Sequence, residues 1–396
     1  MMPAVAELQA ESGLQFTDYQ VEALEWAQFE ASDQARTCLY YKTGAGKSIT
    51  SLAMLAIWGH SNAVVITPPS TFNQWHRFAE SFGIAIETMS HAKFRDPKTK
   101  LSRHVAVIAD EMHLFGGNTG KGWMKLDRLA RHLEAPVILC SATPNYNDAE
   151  RCYCIKHILD PHGTKGGFLD FVYKECDTVA NPFGLLPTVT GFKFHANAAE
   201  YLSSLPGVHY LADDLVFTIV EDSVPVQLPP AHTQYWYNER DHKMIASVIE
   251  EKHVRIFQTL VAPDGYVYDH VYDKVMDIVD KADTSVLVFC AHATVAEALS
   301  KSLLHHGVTH GLVTGARTTA AKADIIRRFL FGQFNLLVGT ASLATGTDGL
   351  DKVCDWLIIL DDTEDDAMRR QLIGRIMPRG LDTDASGKHV YRVLQQ

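Results

Sequence analysis

The chain has 396 residues and a net charge of −11, with 46% apolar and 21% charged residues. This is globular composition with length for two to three domains, and it excludes a disordered or fibrous chain. The acidic balance argues against a protein that coats nucleic acid with its whole surface, and no apolar run reaches the ~18 residues that span a bilayer.

The start of the chain, MMPAVAELQAESG, shows no basic leader followed by an apolar core, so no signal peptide is expected. Seven scattered cysteines suit a reducing cytoplasm. Apolar runs at 37–41 (TCLYY), 63–67 (AVVIT), 105–109 (VAVIA) and 136–140 (PVILC) predict β-strands. Helical patterns such as SITSLAMLAIWG and TFNQWHRFAESFG separate them. Strands alternating with helices imply a parallel sheet covered on both faces. The pattern returns at 285–290, 311–314, 335–340, 356–360 and 389–394. Between the two halves the alternation is poorer, and the breakers NPFGLLP and VQLPPAH appear. The expected organisation is an α/β lobe over 1–150, a helical insertion and linker over 151–275, and a second α/β lobe over 276–396.

Directly after the first predicted strand comes KTGAGKSIT, with Thr43, Gly44, Ala45, Gly46, Lys47 and Ser48. Glycines let backbone N–H groups turn inward as an anion nest, and a helix N-terminus adds its positive end. Lys47 would reach the β- and γ-phosphates of ATP, and the Ser48 hydroxyl would bind Mg²⁺. The first glycine of the strict phosphate-loop pattern is missing, since Tyr41 stands there. A second Gly-Lys pair in GGNTGKG (116–122) has no hydroxyl after Lys121 and no strand leading in, so it reads as a mobile loop.

The run VAVIADEMHLF ends on adjacent carboxylates, Asp110 and Glu111. In a phosphate-loop ATPase such a pair closes a neighbouring strand: Asp110 holds magnesium and Glu111 polarises the attacking water. A metal site on Glu111 and His113 would need further ligands at suitable spacing, and the sequence supplies none nearby.

The window HAKFRDPKTKLSRH (91–104) holds Lys93, Arg95, Lys98, Lys100 and Arg103 against one acid, Asp96, and is a candidate nucleic-acid track. Cys152, Cys154, His157, His162 and Cys176 invite a zinc reading, but Cys-x-Cys is not finger spacing and a helix with buried thiols fits better. The nineteen histidines, His305 and His306 among them, show no ligand spacing. Tyr235, Trp236 and Tyr237 could stack on bases; their setting in the linker favours packing between lobes.

In this order and spacing the motifs resemble those of superfamily-two helicases. FTDYQVEAL is similar to their upstream glutamine motif, which implies that Gln20 reads adenine. VVITPPSTFNQW resembles the start of the nucleic-acid track, with Pro68 a contact. SATPNYN resembles motif III and places Ser141 and Thr143 near the strand. VLVFCAHA resembles motif IV. GTASLATGTDGLD resembles motif V, with Thr340 toward nucleic acid and Gly346 and Asp348 toward nucleotide. QLIGRIMPR resembles motif VI, with Gln371, Arg375 and Arg379 catalytic and the arginines serving as fingers. Pro69, Ser70, Gln74 and Trp75, the Thr-Pro-x-x-Asn of 143–147, LPP at 228–230 and QLIGR resemble the Swi/Snf-type duplex-DNA translocases. Three features depart from that pattern: Ala142 replaces a glycine, DDTEDDAM replaces Trp-Asn-Pro, and Pro378 sets Arg379 one residue late.

The resemblance implies two tandem RecA-like lobes that close over ATP and Mg²⁺, joined by a partly helical linker. The implied function is a DNA-dependent ATPase that translocates on or remodels DNA, duplex or branched, as a monomeric motor in the cytoplasm of a bacterial or phage-infected cell. Replication or recombination proteins are the implied partners, and no membrane. An RNA helicase and an ATP-gated clamp without turnover are the alternatives. The helix carrying Arg375 is expected to end near Met377, because a residue before proline is pushed from helical geometry.

Overall fold

The computed structural model describes residues 3–29, 35–42, 44–117, 119–142, 149–181, 187–211, 219–224, 233–238, 243–248, 260–343, 349–361, 366–377 and 387–395. The chain divides into two compact units, Met1–Asp214 with Arg379–Leu381, and Leu215–Pro378 with Asp382–Gln396. The fold is α/β with a parallel sheet in each unit, as the alternating runs imply.

In the first unit the strands are β1 (Arg36–Tyr41), β2 (Asn62–Ile66), β3 (Ala85–Met89), β4 (Ala106–Ala109), β5 (Val137–Ser141), β6 (Cys176–Val179), β7 (Thr188–Phe192) and β8 (Val208–Leu211). Six form one sheet in the order β3-β2-β4-β5-β1-β8, every pair parallel, while β6 and β7 pair antiparallel apart from it. The helices are α1 (Pro3–Ser12), α2 (Asp18–Phe29), α3 (Lys47–Ile57), α4 (Phe72–Ser81), α5 (His91–Arg95), α6 (Lys121–Ala130), α7 (Ala149–Leu159), α8 (Gly167–Glu175) and α9 (Ala198–Ser203).

Successive residues of a strand point to opposite faces, so a strand covered on both sides is apolar throughout. Cys38, Tyr40, Val64, Ile66, Val107, Ala109, Val137 and Leu139 build one core; Leu39, Tyr41, Ala63, Val65, Ala106, Ile108, Ile138 and Cys140 build the other. Residues 151–211, which the sequence pattern assigns to the start of an insertion, supply most of α7 and all of α8, α9 and β6–β8 to this unit. Strand β8 extends the sheet by pairing with β1, from Cys38 opposite Val208 to Tyr41 opposite Leu211. Cys152, Cys154 and Cys176 lie in the first core with their thiols reduced. Lys121 opens α6 and does not sit in a loop. Gly120 and Gly122 pack there so closely that a Cβ on either would lie 3.0 Å from the Phe115 carbonyl oxygen.

The second unit holds β9 (Ile219–Val224), β10 (Thr233–Asn238), β11 (Lys243–Val248), β12 (Ser285–Cys290), β13 (Gly311–Val313), β14 (Leu336–Gly339), β15 (Cys354–Asp361) and β16 (His389–Gln395). Its parallel sheet runs β13-β14-β12-β15-β16-β9, and β10 and β11 pair antiparallel outside it. The backbone of Tyr235–Tyr237 lies in β10; their side chains are outside the described residues. Helices α10 (Asp269–Val279), α11 (Ala293–His305), α12 (Thr319–Leu330) and α13 (Asp366–Ile376) complete the unit. The same two-face division holds: Val286, Val288, Val338 and Ile358 face one core, and Leu287, Phe289, Leu337 and Ile359 the other.

His209, on the edge strand β8, is packed edge-on to Trp26, and its Nε2 is buried without a hydrogen-bond partner. Burial pushes its pKa down from 6.5 to about 4. The unfolded chain therefore takes up this proton before the folded one does. The stabilisation is complete above pH 6.5 and is lost as pH falls toward about 4. The thermal midpoint, followed from pH 7 to pH 4, should fall less steeply in His209→Leu than in the parent. Equal slopes would show that this imidazole does not carry the acid sensitivity.

Candidate active site

The glycine loop leading to Lys47, the acid Asp110 and Ser141 lie where parallel strands of the first unit end, while Gln20 is on α2 and the basic window runs along and beyond α5. Strand β5 stands between β1 and β4, so the loops that follow β1 and β4 leave the sheet roughly 10 Å apart, two strand spacings. That is the crevice in which open α/β sheets bind ligands.

The loop after β1 has the conformation of an anion cradle. Gly44 and Gly46 have φ of 82° and 77°, a left-handed geometry that glycine adopts without steric cost. A Cβ on Gly46 would also lie 2.5 Å from Gln20 Nε2. Helix α3 begins at Lys47 with Gly46 as its N-cap and with no side chain capping it, which leaves first-turn N–H groups for an anion. Lys47 Nζ donates to the carbonyls of Tyr41 (3.0 Å) and Lys42 (3.3 Å), so its ammonium lies inside the loop it would share with phosphate. Ser48 is half-buried on the first turn of α3. Thr43 lies outside the described residues.

Gln20 is 5% exposed, and its amide is fully engaged. Its Oε1 accepts from Thr17 N–H at 2.9 Å, and its Nε2 donates to Thr50 Oγ1 at 3.2 Å and Ala45 O at 3.5 Å. Tyr19 Oη also donates to Ala45 O, at 3.2 Å. In this structure Gln20 braces the phosphate loop; it is not aimed at an open surface where a base would lie.

Strand β4 delivers Asp110, which is 7% exposed. Its Oδ2 accepts from Thr67 Oγ1 at 2.7 Å and Trp75 Nε1 at 3.3 Å, and its Oδ1 accepts from Glu111 N–H at 3.0 Å. Burial raises its pKa, and the neighbouring Glu111 raises it further; the Thr67 and Trp75 donors and the Lys47 charge act against this. Its backbone oxygen meets His91 Nε2 at 2.9 Å. Burial lowers the pKa of His91, against the backbone hydrogen bond to Asp110 and the Asp110 charge, which raise it. Glu111 Oε2 lies 3.4 Å from His113 Nδ1. Among the described residues no cluster of three metal-ligating side chains occurs. A carboxylate and a hydroxyl as hard oxygen donors, beside an uncapped helix start, fit a magnesium nucleotide.

The remaining expected contacts divide. Pro68 is half-buried in the turn before α4, with Pro69 and Ser70 exposed. Ser141 is fully buried and Thr340 is 7% exposed. Ser141 closes the interior strand β5 and Thr340 directly follows the interior strand β14. Lys93, Arg95 and Lys98 are exposed, but not all are free. Lys93 pairs with Glu87 at 3.2 Å, and Arg95 Nε donates to His91 O. The loop around Lys98 is anchored by Lys125, whose Nζ donates to the carbonyls of Phe94, Asp96 and Thr99 at 2.6–2.8 Å.

In the second unit Arg375 is half-buried near the end of α13, which stops at Ile376. The side chain of Gln371 and all of Thr143, Gly346, Asp348 and Arg379 lie outside the described residues. The sequence reading missed Thr67, the hydrogen bond from Trp75, and Asp361. Asp361 closes β15 with no exposure and accepts from His292 N–H and Nδ1, both at 2.8 Å. A polar residue capping an apolar run was the available signal for Thr67 and Asp361.

Residues 270–380 match the helicase conserved C-terminal domain. No curated protein matches the chain in sequence. In three dimensions the chain is similar to S. cerevisiae Dbp5 bound to RNA and ADP–BeF3, with a TM-score of 0.59 and 13% identity over 100% of this chain and 88% of that one. A variant of Dbp5 in the same complex gives a TM-score of 0.58, also at 13% identity over 100% and 88% of the two chains. The Sulfolobus solfataricus SWI2/SNF2 ATPase core with dsDNA gives 0.42, at 15% identity over 96% and 88%; that likeness carries no argument. What the two Dbp5 likenesses show is the fold, that of a two-domain RecA-like helicase core.

Glu111 has φ 48° and ψ 53°, the one positive φ on a non-glycine among the described residues. A left-handed residue with a Cβ costs roughly 1–2 kcal/mol, a strain typical of functional sites. Glu111→Gly and Glu111→Ala both remove the carboxylate, and only glycine relieves the backbone. The glycine variant should melt about 2–4 °C above the alanine variant per kcal/mol relieved. An alanine variant melting as high as the glycine variant would show that the conformation is not strained.

Proposed function

We propose, from a chain whose matched domain and fold make it a helicase-type core, that it is an ATP-dependent motor that translocates on or remodels DNA. The observation that carries ATP hydrolysis is the pairing of an uncapped glycine cradle and Lys47 with the carboxylates Asp110 and Glu111 across one strand of the same sheet edge.

In this reading Gly44, Ala45, Gly46 and Lys47 hold the phosphates, and Ser48 and Asp110 hold Mg²⁺. When bound, the metal neutralises charge on the phosphate oxygens and orients them for attack. Glu111, held at the edge by its left-handed backbone, accepts the proton of the attacking water. Arg375 meets the charge that develops on the transferred phosphoryl group. DNA is preferred over RNA on the sequence features Gln74-Trp75 and Thr-Pro-x-x-Asn, with the exposed Lys93, Arg95 and Lys98 as phosphate contacts. The proposal includes a monomeric motor in the cytoplasm, with replication or recombination proteins as partners.

Phosphate release should be measured with single-stranded, duplex and branched DNA and with RNA. DNA should stimulate most; stimulation by RNA alone would make this an RNA helicase. Binding without turnover would make it a clamp. Lys47→Ala should abolish turnover, because the main countercharge on the β- and γ-phosphates is gone. Glu111→Gln should still bind magnesium nucleotide and fail to hydrolyse it; near-normal turnover would overturn its assignment. Arg375→Ala should cost at least about a hundredfold, a floor set below the ~10³–10⁵ that an arginine finger typically supplies.

Neutralising Lys93, Arg95 and Lys98 together should weaken nucleic-acid binding at every sequence. The salt slope should fall by about 0.9 for each phosphate that is no longer neutralised. An unchanged slope would return the window to an ordinary solvated loop.

A further inference from the structure

The Asp110 carboxylate is wired to the turn that leads into α4. Two of its three donors, Thr67 and Trp75, flank that turn. Thr67 directly follows β2 and has no exposure. Trp75 is 1% exposed on the first turn of α4 and sends its indole N–H back to the same oxygen, Oδ2. An ionised carboxylate only accepts, so the single hydroxyl hydrogen of Thr67 is spent on Asp110 at 2.7 Å. The 2.6 Å contact between Thr67 Oγ1 and Thr71 Oγ1 must then be a donation from Thr71. Thr71 Oγ1 also lies 2.8 Å from the Pro68 carbonyl. One hydrogen thus has two acceptors, one leading to the metal acid and one within the exposed turn Pro68–Thr71.

We propose that Thr67 and Trp75 are positioning residues that set the Asp110 carboxylate for magnesium, and that Thr71 makes this carboxylate respond to what binds at the Pro68–Thr71 turn. The inference rests on the magnesium-nucleotide reading above. If nucleic acid moves the turn, the Thr71 hydrogen leaves Thr67 for Pro68 or returns. The Thr67 hydroxyl becomes a weaker or stronger donor to Asp110 accordingly, since linked hydroxyls polarise one another. Strand contact would then reach the nucleotide site without passing through a distant element.

The test is the magnesium concentration that half-saturates binding of a fluorescent ATP analogue, read without turnover. Thr67→Val and Trp75→Phe keep shape and lose one donor each. Each should raise half-saturation about tenfold, the lower end for residues supporting a metal ligand. Binding of the analogue in EDTA should not change, and Thr67→Ser should restore the parent value. An oligonucleotide should shift the half-saturation of the parent and not that of Thr71→Val, while anisotropy shows the oligonucleotide bound to both.

Parent-like half-saturation in folded Thr67→Val and Trp75→Phe overturns the positioning roles. A Thr71→Val variant that still shifts with oligonucleotide, or that no longer binds it, overturns the coupling. A parent protein with no magnesium-dependent binding would sink the functional reading and this inference with it. A magnesium-dependent parent with unchanged variants sinks the inference alone.

Discussion

A parallel sheet covered on both faces leaves its strands one place for polar chemistry, the edge at which they end. Both faces of each sheet here are filled with apolar side chains, residue by alternate residue. Thr67, Asp110, Ser141, Thr340 and Asp361 are all buried or nearly so, and each stands at or directly after the C-terminal end of its strand. Burial at such an edge costs a polar group its hydration, so each needs a partner of fixed geometry. Asp110 is therefore held by the scaffold that buries it.

That requirement explains why Asp110 collects donors from three directions. Its pKa is raised by burial and by Glu111, and the Thr67 and Trp75 donors and the Lys47 charge act against that rise without cancelling it. Glu111 follows in a left-handed conformation, which turns the chain sharply into the 3₁₀ turn Met112–Phe115.

The basic window shows how formal charge differs from available charge. Five cations stand against one acid within 91–104, yet Glu87 and Glu134 from outside it pair with Lys93 and Arg103. Exposed pairs of this kind are worth at most about 1 kcal/mol, so a phosphate could displace the carboxylates. His91 and Phe94 are buried, which roots the segment in the core and keeps its exposed cations in one place.

The sequence by itself determined the interior strands, because a run buried on both faces must be apolar throughout and therefore stands out. The glycine loop before α3 and the acidic pair after β4 also stood out in the sequence, because both are local features that follow predicted strands. Of the edge strands, β13 was read at 311–314, while β3, β8 and β9 were not legible. The placement of 151–211 was not legible either, because β8 joins β1 across about 170 residues and leaves no local trace. Only the tertiary structure decided which side chains meet. Gln20, read for an adenine contact, turns its amide onto Ala45 and Thr50; Trp75, read as part of a nucleic-acid motif, is the donor that holds Asp110. Periodicity records which face a residue takes, and hydrogen-bond partners are set by packing between elements far apart in the chain.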